Sequence, residues 1–134
     1  SFSAGEHNDC VAMAKQFADR THFVHLRSCY IFPNGNFTEA SHLGGRGHLI
    51  ELCRIFEKAE QEGKCNSGRR LPMRVDHGMT FTDEPGGVFD ESNHGHNAGY
   101  TLLGRMFAMG QIQGVIATVD DELGIEYKQP GFYD

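Results

Sequence analysis

Two short stretches of this chain hold side chains whose types could do chemistry together. One is His25 with Arg27, closing the segment HFVHLR; the other is the run Arg74-Val75-Asp76-His77-Gly78. An imidazole nitrogen and a carboxylate oxygen suit a divalent manganese, iron or zinc ion, so His25 and Asp76 form a candidate ligand pair. Two ligands do not make a tight site, and further donors must come from elsewhere. Arg74 can hold an anionic substrate by a two-pronged hydrogen bond, or it can pair with Asp76. Each residue also has an ordinary alternative: His25 as a hydrogen-bonded core histidine, and Asp76 as a turn carboxylate ahead of His77-Gly78.

Other chemistry is poorly supported. His42 with His48, and His94 with His96, lack partners at metal-ligand spacing. No GxSxG elbow or GxxxxGK[ST] phosphate loop occurs, and paired glycines alone do not indicate phosphate binding. Cys10, Cys29, Cys53 and Cys65 include no CxxC pair, which removes the zinc-ribbon and thioredoxin spacings. They are expected to be reduced thiols of a cytoplasmic protein.

The elements that must position these residues alternate. A helix is expected from about His7 to Asp19, capped by Asn8 or Asp9, with Val11, Ala14 and Phe17 as its apolar edge. A strand follows over Thr21 to Arg27, with Phe23, His25 and Arg27 on one face and His22, Val24 and Leu26 on the other. Neither face is simply polar, which suits a strand covered on both sides in a parallel sheet. Ser28 to Gly47 has loop chemistry. A second helix runs from about His48 to Glu62, with Leu49, Leu52, Cys53, Phe56 and Ala59 as its buried stripe and Gly63 as its stop. Leu71 to Asp76 reads as a short strand, and a glycine-rich loop then reaches Gly99. The last helix is expected from about Tyr100 to Asp121, with a break near Gly110 or Gly114. The order describes an α/β protein built from β/α units, in which sites lie at the carboxyl ends of strands. Residues 1–134 form one structural unit, and two strands are too few to close a barrel.

Composition narrows the partners. The chain of 134 residues carries a net charge of −6 and lacks the clustered Lys/Arg of a nucleic-acid or anionic-membrane binder. No unbroken apolar run approaches the roughly 18 residues of a membrane span. Glycine is abundant, at 17 residues, and histidine stands at 8. Much of that excess lies in the two long loops after the strands.

Four ordered motifs, HFVHLRS (22–28), EASHLGG (39–45), MRVDHG (73–78) and AGYTLLGR (98–105), resemble the mannonate dehydratase family of the xylose-isomerase-like barrel group. The resemblance runs from about Ser1 to Leu123 and is to the C-terminal third of that family. It implies the last two to three β/α units of a TIM (β/α)8 barrel, incomplete in this chain. The activity it implies is dehydration of D-mannonate to 2-keto-3-deoxy-D-gluconate in hexuronate (glucuronate) catabolism, with Mn2+ or Fe2+. His25 and Asp76 would then be metal ligands, with a cysteine and another histidine supplied by earlier strands. Arg74, His77 and Tyr100 would be catalytic, and Arg27, His42 and Arg74 would bind the sugar-acid substrate. The complete enzyme is expected to be a homo-oligomer, a dimer, acting on a small molecule without nucleic acid or membrane. Val75, Ala98 and His48 depart from the residues common in the family at those places.

Two other readings stand beside this one. A sugar isomerase or epimerase of the same barrel group would also begin by removing an acidic proton. A non-catalytic fragment or association module would bind metal poorly and expose apolar strand edges.

Overall fold

The computed structural model describes residues 8–77 and 102–127. The chain starts with α1 (Cys10–Phe17), whose Asp9 cap accepts hydrogen bonds from the backbone N–H groups of Val11 and Ala12 at 3.0 and 2.9 Å. Such a cap satisfies donors that the first helical turn leaves open. A short 3-10 turn (Ala18–Arg20) leads into β1 (Val24–Leu26). Then come β2 (Cys29–Ile31) and β3 (Phe37–Glu39), α2 (Leu49–Gln61), β4 (Met73–Val75) and α3 (Leu102–Leu123).

β1 and β4 pair in parallel, with Val24 opposite Met73, His25 opposite Arg74 and Leu26 opposite Val75. The ladder is extended by Val24 N–H donating to the Pro72 carbonyl (2.9 Å) and Asp76 N–H donating to the Leu26 carbonyl (3.0 Å). Because side chains alternate along a strand, Val24 and Leu26 point to the helices while His25 and Arg74 point away. The helix side is the core: Ala14, Ala18, Val24, Leu26, Leu49, Cys53, Phe56, Ala59, Leu71, Ile112, Val115 and Val119 are all buried there. Leu26, 2% exposed, contributes about 1.5–3 kcal/mol by burial alone. Among the described residues the helices cover one face of β1, where a strand covered on both faces was expected. Phe23 and His25 lie open on the other face, stacked edge-to-face at 4.8 Å.

The expected long loop after β1 contains a β-hairpin. β2 and β3 pair antiparallel, Cys29 opposite Glu39 and Ile31 opposite Phe37, around a turn at Pro33-Asn34-Gly35. Gly35 has φ of 87°, a conformation that costs a side-chain-bearing residue energy. Asn34 accepts from Asn36 N–H through its side chain at 3.0 Å, which tightens the turn.

α2 ends as its sequence suggests, with Gly63 at φ of 66° and Lys64 N–H donating to the Ala59 carbonyl at 2.9 Å. α3 is continuous through Gly110 and Gly114, so the expected break is absent. The reason is tertiary: Ala108, Ile112, Val115 and Val119 form one buried stripe on either side of those glycines, and packing outweighs the local helix cost. By length and composition α3 is apolar enough to cross a membrane, with a mean hydropathy of 1.2. Part of that apolar character goes to the core stripe against α2, while Leu102, Leu103, Met106, Phe107 and Met109 are exposed. Between the two helices lie two buried carboxyl groups, Glu57 and Asp120. Outside them Arg54 grips Glu122 through two hydrogen bonds of 2.8 and 2.9 Å.

Candidate active site at the strand ends

The open face of the parallel pair gathers five of the chemistry-bearing residues. His25 projects from β1 and Asp76 from the residue after β4, and their Nδ1 and Oδ1 atoms stand 3.5 Å apart. Arg27 lies beyond β1, its Nη1 4.0 Å from the other Asp76 oxygen. His77 turns its Nε2 toward the same oxygen at 3.9 Å and its Nδ1 toward Glu39 at 3.7 Å. Glu39, at the end of β3, holds Arg27: both its oxygens accept from Arg27 Nε, at 3.0 and 3.2 Å, and a further contact joins Oε1 to Nη2. The Arg27 guanidinium also lies 5.3 Å from the centre of the Phe37 ring, so the hairpin packs against it on two sides.

Burial and charge act on Arg27 and on the buried thiols. Burial opposes the Arg27 charge, but hydrogen bonding and attraction from Glu39, with Asp76 behind, raise its pKa above the ordinary arginine value. Burial and the Glu39 charge push the Cys29 thiol up to about 11, so it is a protonated packing group rather than a nucleophile. The Cys53 thiol is pushed up to about 12, first by burial and then by Glu57 and Asp120. All four cysteines are free thiols.

The His25–Asp76 pair fits a divalent ion by its spacing. Two donors each about 2.1 Å from a common ion, at tetrahedral to octahedral angles, lie about 3.0–3.4 Å apart. The observed 3.5 Å needs only a small side-chain adjustment. Among the described residues no group of three or more His, Cys, Asp or Glu completes a metal cage. His25 is an exposed strand histidine and not a core one, and Asp76 faces His25, Arg27 and His77; the turn after His77 lies outside the described residues.

The remaining expected residues are placed differently. Arg74 is exposed on the same face as His25, by register, and among the described residues no ion pair joins it to Asp76. Arg27 occupies that side of the carboxylate instead. His42 is not on the open face: it is 2% exposed, and its Nε2 donates to the Leu26 carbonyl at 3.0 Å. That carbonyl also accepts from Asp76 N–H, so His42 helps to pin the strand ends from which His25 and Asp76 project. His42 also lines a separate surface cleft of about 380 Å³ with Leu43, His48 and Arg54. Tyr100 lies outside the described residues.

Glu39 is the site residue that motif reasoning missed. The signal was present in CYIFPNGNFTE, where Asn34-Gly35 between strand-forming residues marks a hairpin. With that hairpin drawn, Glu39 falls opposite Cys29 and next to the end of β1.

A pair of parallel strands packed on helices, with an imidazole–carboxylate–guanidinium cluster at the strands' carboxyl ends, defines an α/β protein with a candidate polar site. Comparison with known proteins gives the family. The family model described as D-mannonate dehydratase (UxuA) matches residues 1–125, and the chain belongs to that family. It is 37% identical over 125 residues to mannonate dehydratase 2 of Agrobacterium fabrum, covering 92% of this chain and 30% of that protein. It is 34% identical over 122 residues to mannonate dehydratase of Saccharophagus degradans, covering 90% of this chain and 29% of that protein. Mannonate dehydratase of Brucella canis is 32% identical over 114 residues, 84% of this chain and 26% of that protein. The chain thus spans under one third of the length of these curated relatives.

Proposed function

We propose that this chain carries part of the active site of a sugar-acid hydro-lyase that converts D-mannonate to 2-keto-3-deoxy-D-gluconate in hexuronate catabolism. The single observation that carries the reading is the His25–Asp76 pair, set 3.5 Å apart at the ends of adjacent parallel strands and flanked by Arg27 and His77. The fold it implies is the closing β/α units of a TIM barrel. In such a barrel the strand face opposite the helices looks into the interior, which accounts for a polar cluster on the uncovered face of β1 and β4.

His25 and Asp76 would hold Mn2+ or Fe2+, together with donors from other strands. Such an ion supplies positive charge where a carboxylate-stabilised anion develops. The chain's own residues do the rest. Arg74, with its guanidinium exposed on the site face, brings fixed positive charge to the substrate carboxylate, and Arg27, its charge offset by Glu39, offers Nη1 as a hydrogen-bond donor to the substrate. His77, mostly shielded between Asp76 and Glu39, is placed to exchange a proton at a ring nitrogen. Loss of the proton next to the carboxylate and departure of the 3-hydroxyl as water give an enol, which becomes the 2-keto product. His77 and Tyr100 share the acid and base roles. The substrate is a small sugar acid, and the complete enzyme is a cytoplasmic homodimer.

The test combines this chain with the complementary part of the Agrobacterium fabrum relative, adds Mn2+ and D-mannonate, and assays for the 2-keto-3-deoxy acid. Product formed only when both parts are present supports the proposal. An assembled complex that yields an epimer or isomer instead overturns the dehydratase reading. A second reading, an association module, is favoured by the exposed apolar side chains Leu102, Met106 and Met109 along the first half of α3. A chain that assembles with its complement and binds no metal would support it.

A further inference from the structure

We infer that Glu39 is the positioning residue of this site, which clamps Arg27 away from Asp76 and so leaves the Asp76 carboxylate open to a divalent cation. The inference rests on the reading of His25 and Asp76 as metal ligands and goes beyond it by naming what keeps one of them available.

Arg27 and Asp76 sit at the ends of neighbouring parallel strands, close enough to form a full ion pair. They form only a long, single-contact one. The nearest approach is 4.0 Å, from Nη1 to the Asp76 oxygen that does not face His25. Arg27 instead directs Nε and Nη2 to Glu39 through three contacts, two of them 3.0 and 3.2 Å. Fork-shaped pairing of this kind uses both the charge and the fixed plane of the guanidinium. Glu39 is also the more enclosed acceptor, its side chain 9% exposed against 26% for Asp76. A contact shielded from water is less screened, which favours Glu39 further.

The alternative pairing would be costly for metal binding. An arginine forked onto Asp76 would occupy the oxygens that a cation needs. It would also place an uncompensated positive charge beside the ion. With Glu39 present, the Arg27 guanidinium is engaged by Glu39, and the Asp76 oxygens are left for the cation. The hairpin is what makes this possible. Its register, Cys29 opposite Glu39, delivers the carboxylate to Nε and Nη2 of Arg27, leaving only Nη1 toward Asp76. Phe37 from the same strand packs on the guanidinium and limits its swing.

The test uses manganese(II) alone as probe, with free ion counted by electron paramagnetic resonance across a micromolar-to-millimolar titration. The titrated sample is this chain assembled with the complementary part of the Agrobacterium fabrum relative, which supplies the remaining donors. Asp76→Asn should abolish the binding and establishes that the site is the one measured. Glu39→Gln should weaken Mn2+ binding about 10-fold, in the range that outer partners of metal ligands commonly show. The double variant Arg27→Gln with Glu39→Gln should recover most of that loss, because nothing is left to close on Asp76. Glu39→Asp, which keeps the charge, should lose less than Glu39→Gln. A merely structural role for Glu39 predicts no recovery in the double variant. Wild-type affinity in Glu39→Gln, or a double variant as weak as Glu39→Gln, overturns the inference while leaving the metal-site reading intact. Mn2+ binding that is unchanged in Asp76→Asn overturns both.

Discussion

Replacing Glu57 by glutamine should stabilise this chain at about pH 8 and leave it nearly unchanged at about pH 5. Glu57 lies on α2, buried against Asp120 of α3, with Glu60 and Arg70 the other charged groups nearby. Burial first, then the charges of Asp120 and Glu60, push its pKa up to about 7 from the ordinary 4.5. Burial raises Asp120 as well, so at neutral pH the two carboxyls hold one proton between them with difficulty. In the unfolded chain Glu57 releases its proton near 4.5, so between 4.5 and about 7 the folded state binds more protons. Stability therefore falls as pH rises through that window and stays low above it. The shift corresponds to about 3 kcal/mol at one pH unit per 1.36 kcal/mol, and partial solvent screening reduces the expected penalty to about 2 kcal/mol. Glutamine keeps the shape, carries no charge and can donate its amide hydrogen to Asp120. Urea denaturation followed by circular dichroism, at fixed protein concentration and at both pH values, measures the effect. The variant should gain about 2 kcal/mol at the higher pH, with a flatter pH profile. Equal gains at both pH values, or a loss at the higher one, would refute the reasoning.

Other substitutions probe the remaining structure. A Cβ at Gly45 would lie 2.3 Å from Ser28 Oγ and 2.8 Å from the Cys29 carbonyl, so Gly45→Ala should cost about 1–3 kcal/mol in the same denaturation assay. Gly110→Ala should do the reverse, adding about 0.5–1 kcal/mol, because nothing lies within 4 Å of its Cβ and the helix backbone becomes less costly to order. His42→Ala should destabilise by about 2 kcal/mol, since it empties a buried position and removes one donor from the Leu26 carbonyl. Lysine at Leu102 and Met106, both strongly exposed, should reduce self-association in sedimentation velocity without lowering the helix signal.

Much of the fold was legible because local rules and tertiary packing agree. Asp9 caps α1, Gly63 ends α2, and the stripe from Leu49 to Ala59 is buried where its spacing puts it. The agreement fails where packing overrides propensity, as in α3 running unbroken through Gly110 and Gly114. It also fails where a short turn was read only as loop chemistry. Asn34-Gly35 carries the hairpin signal, but the strands beside it have three residues each, too few for their alternation to stand out.

What the sequence determines by itself is the chemistry available: one imidazole, one carboxylate and basic groups at the ends of two strands, in an order that matches the mannonate dehydratase family over residues 1–125. Side-chain alternation then sends His25 and Arg74 to one face, since the period of a strand is two whatever surrounds it. The tertiary structure decided which of those groups meet. His42 and Glu39 share one motif, yet one turns inward to the Leu26 carbonyl while the other reaches Arg27. That choice depends on the hairpin register and on which face of β1 the helices cover. The register is set locally around the Asn34-Gly35 turn, whereas the covered face of β1 is set by contacts between residues far apart in the chain, which no local pattern records.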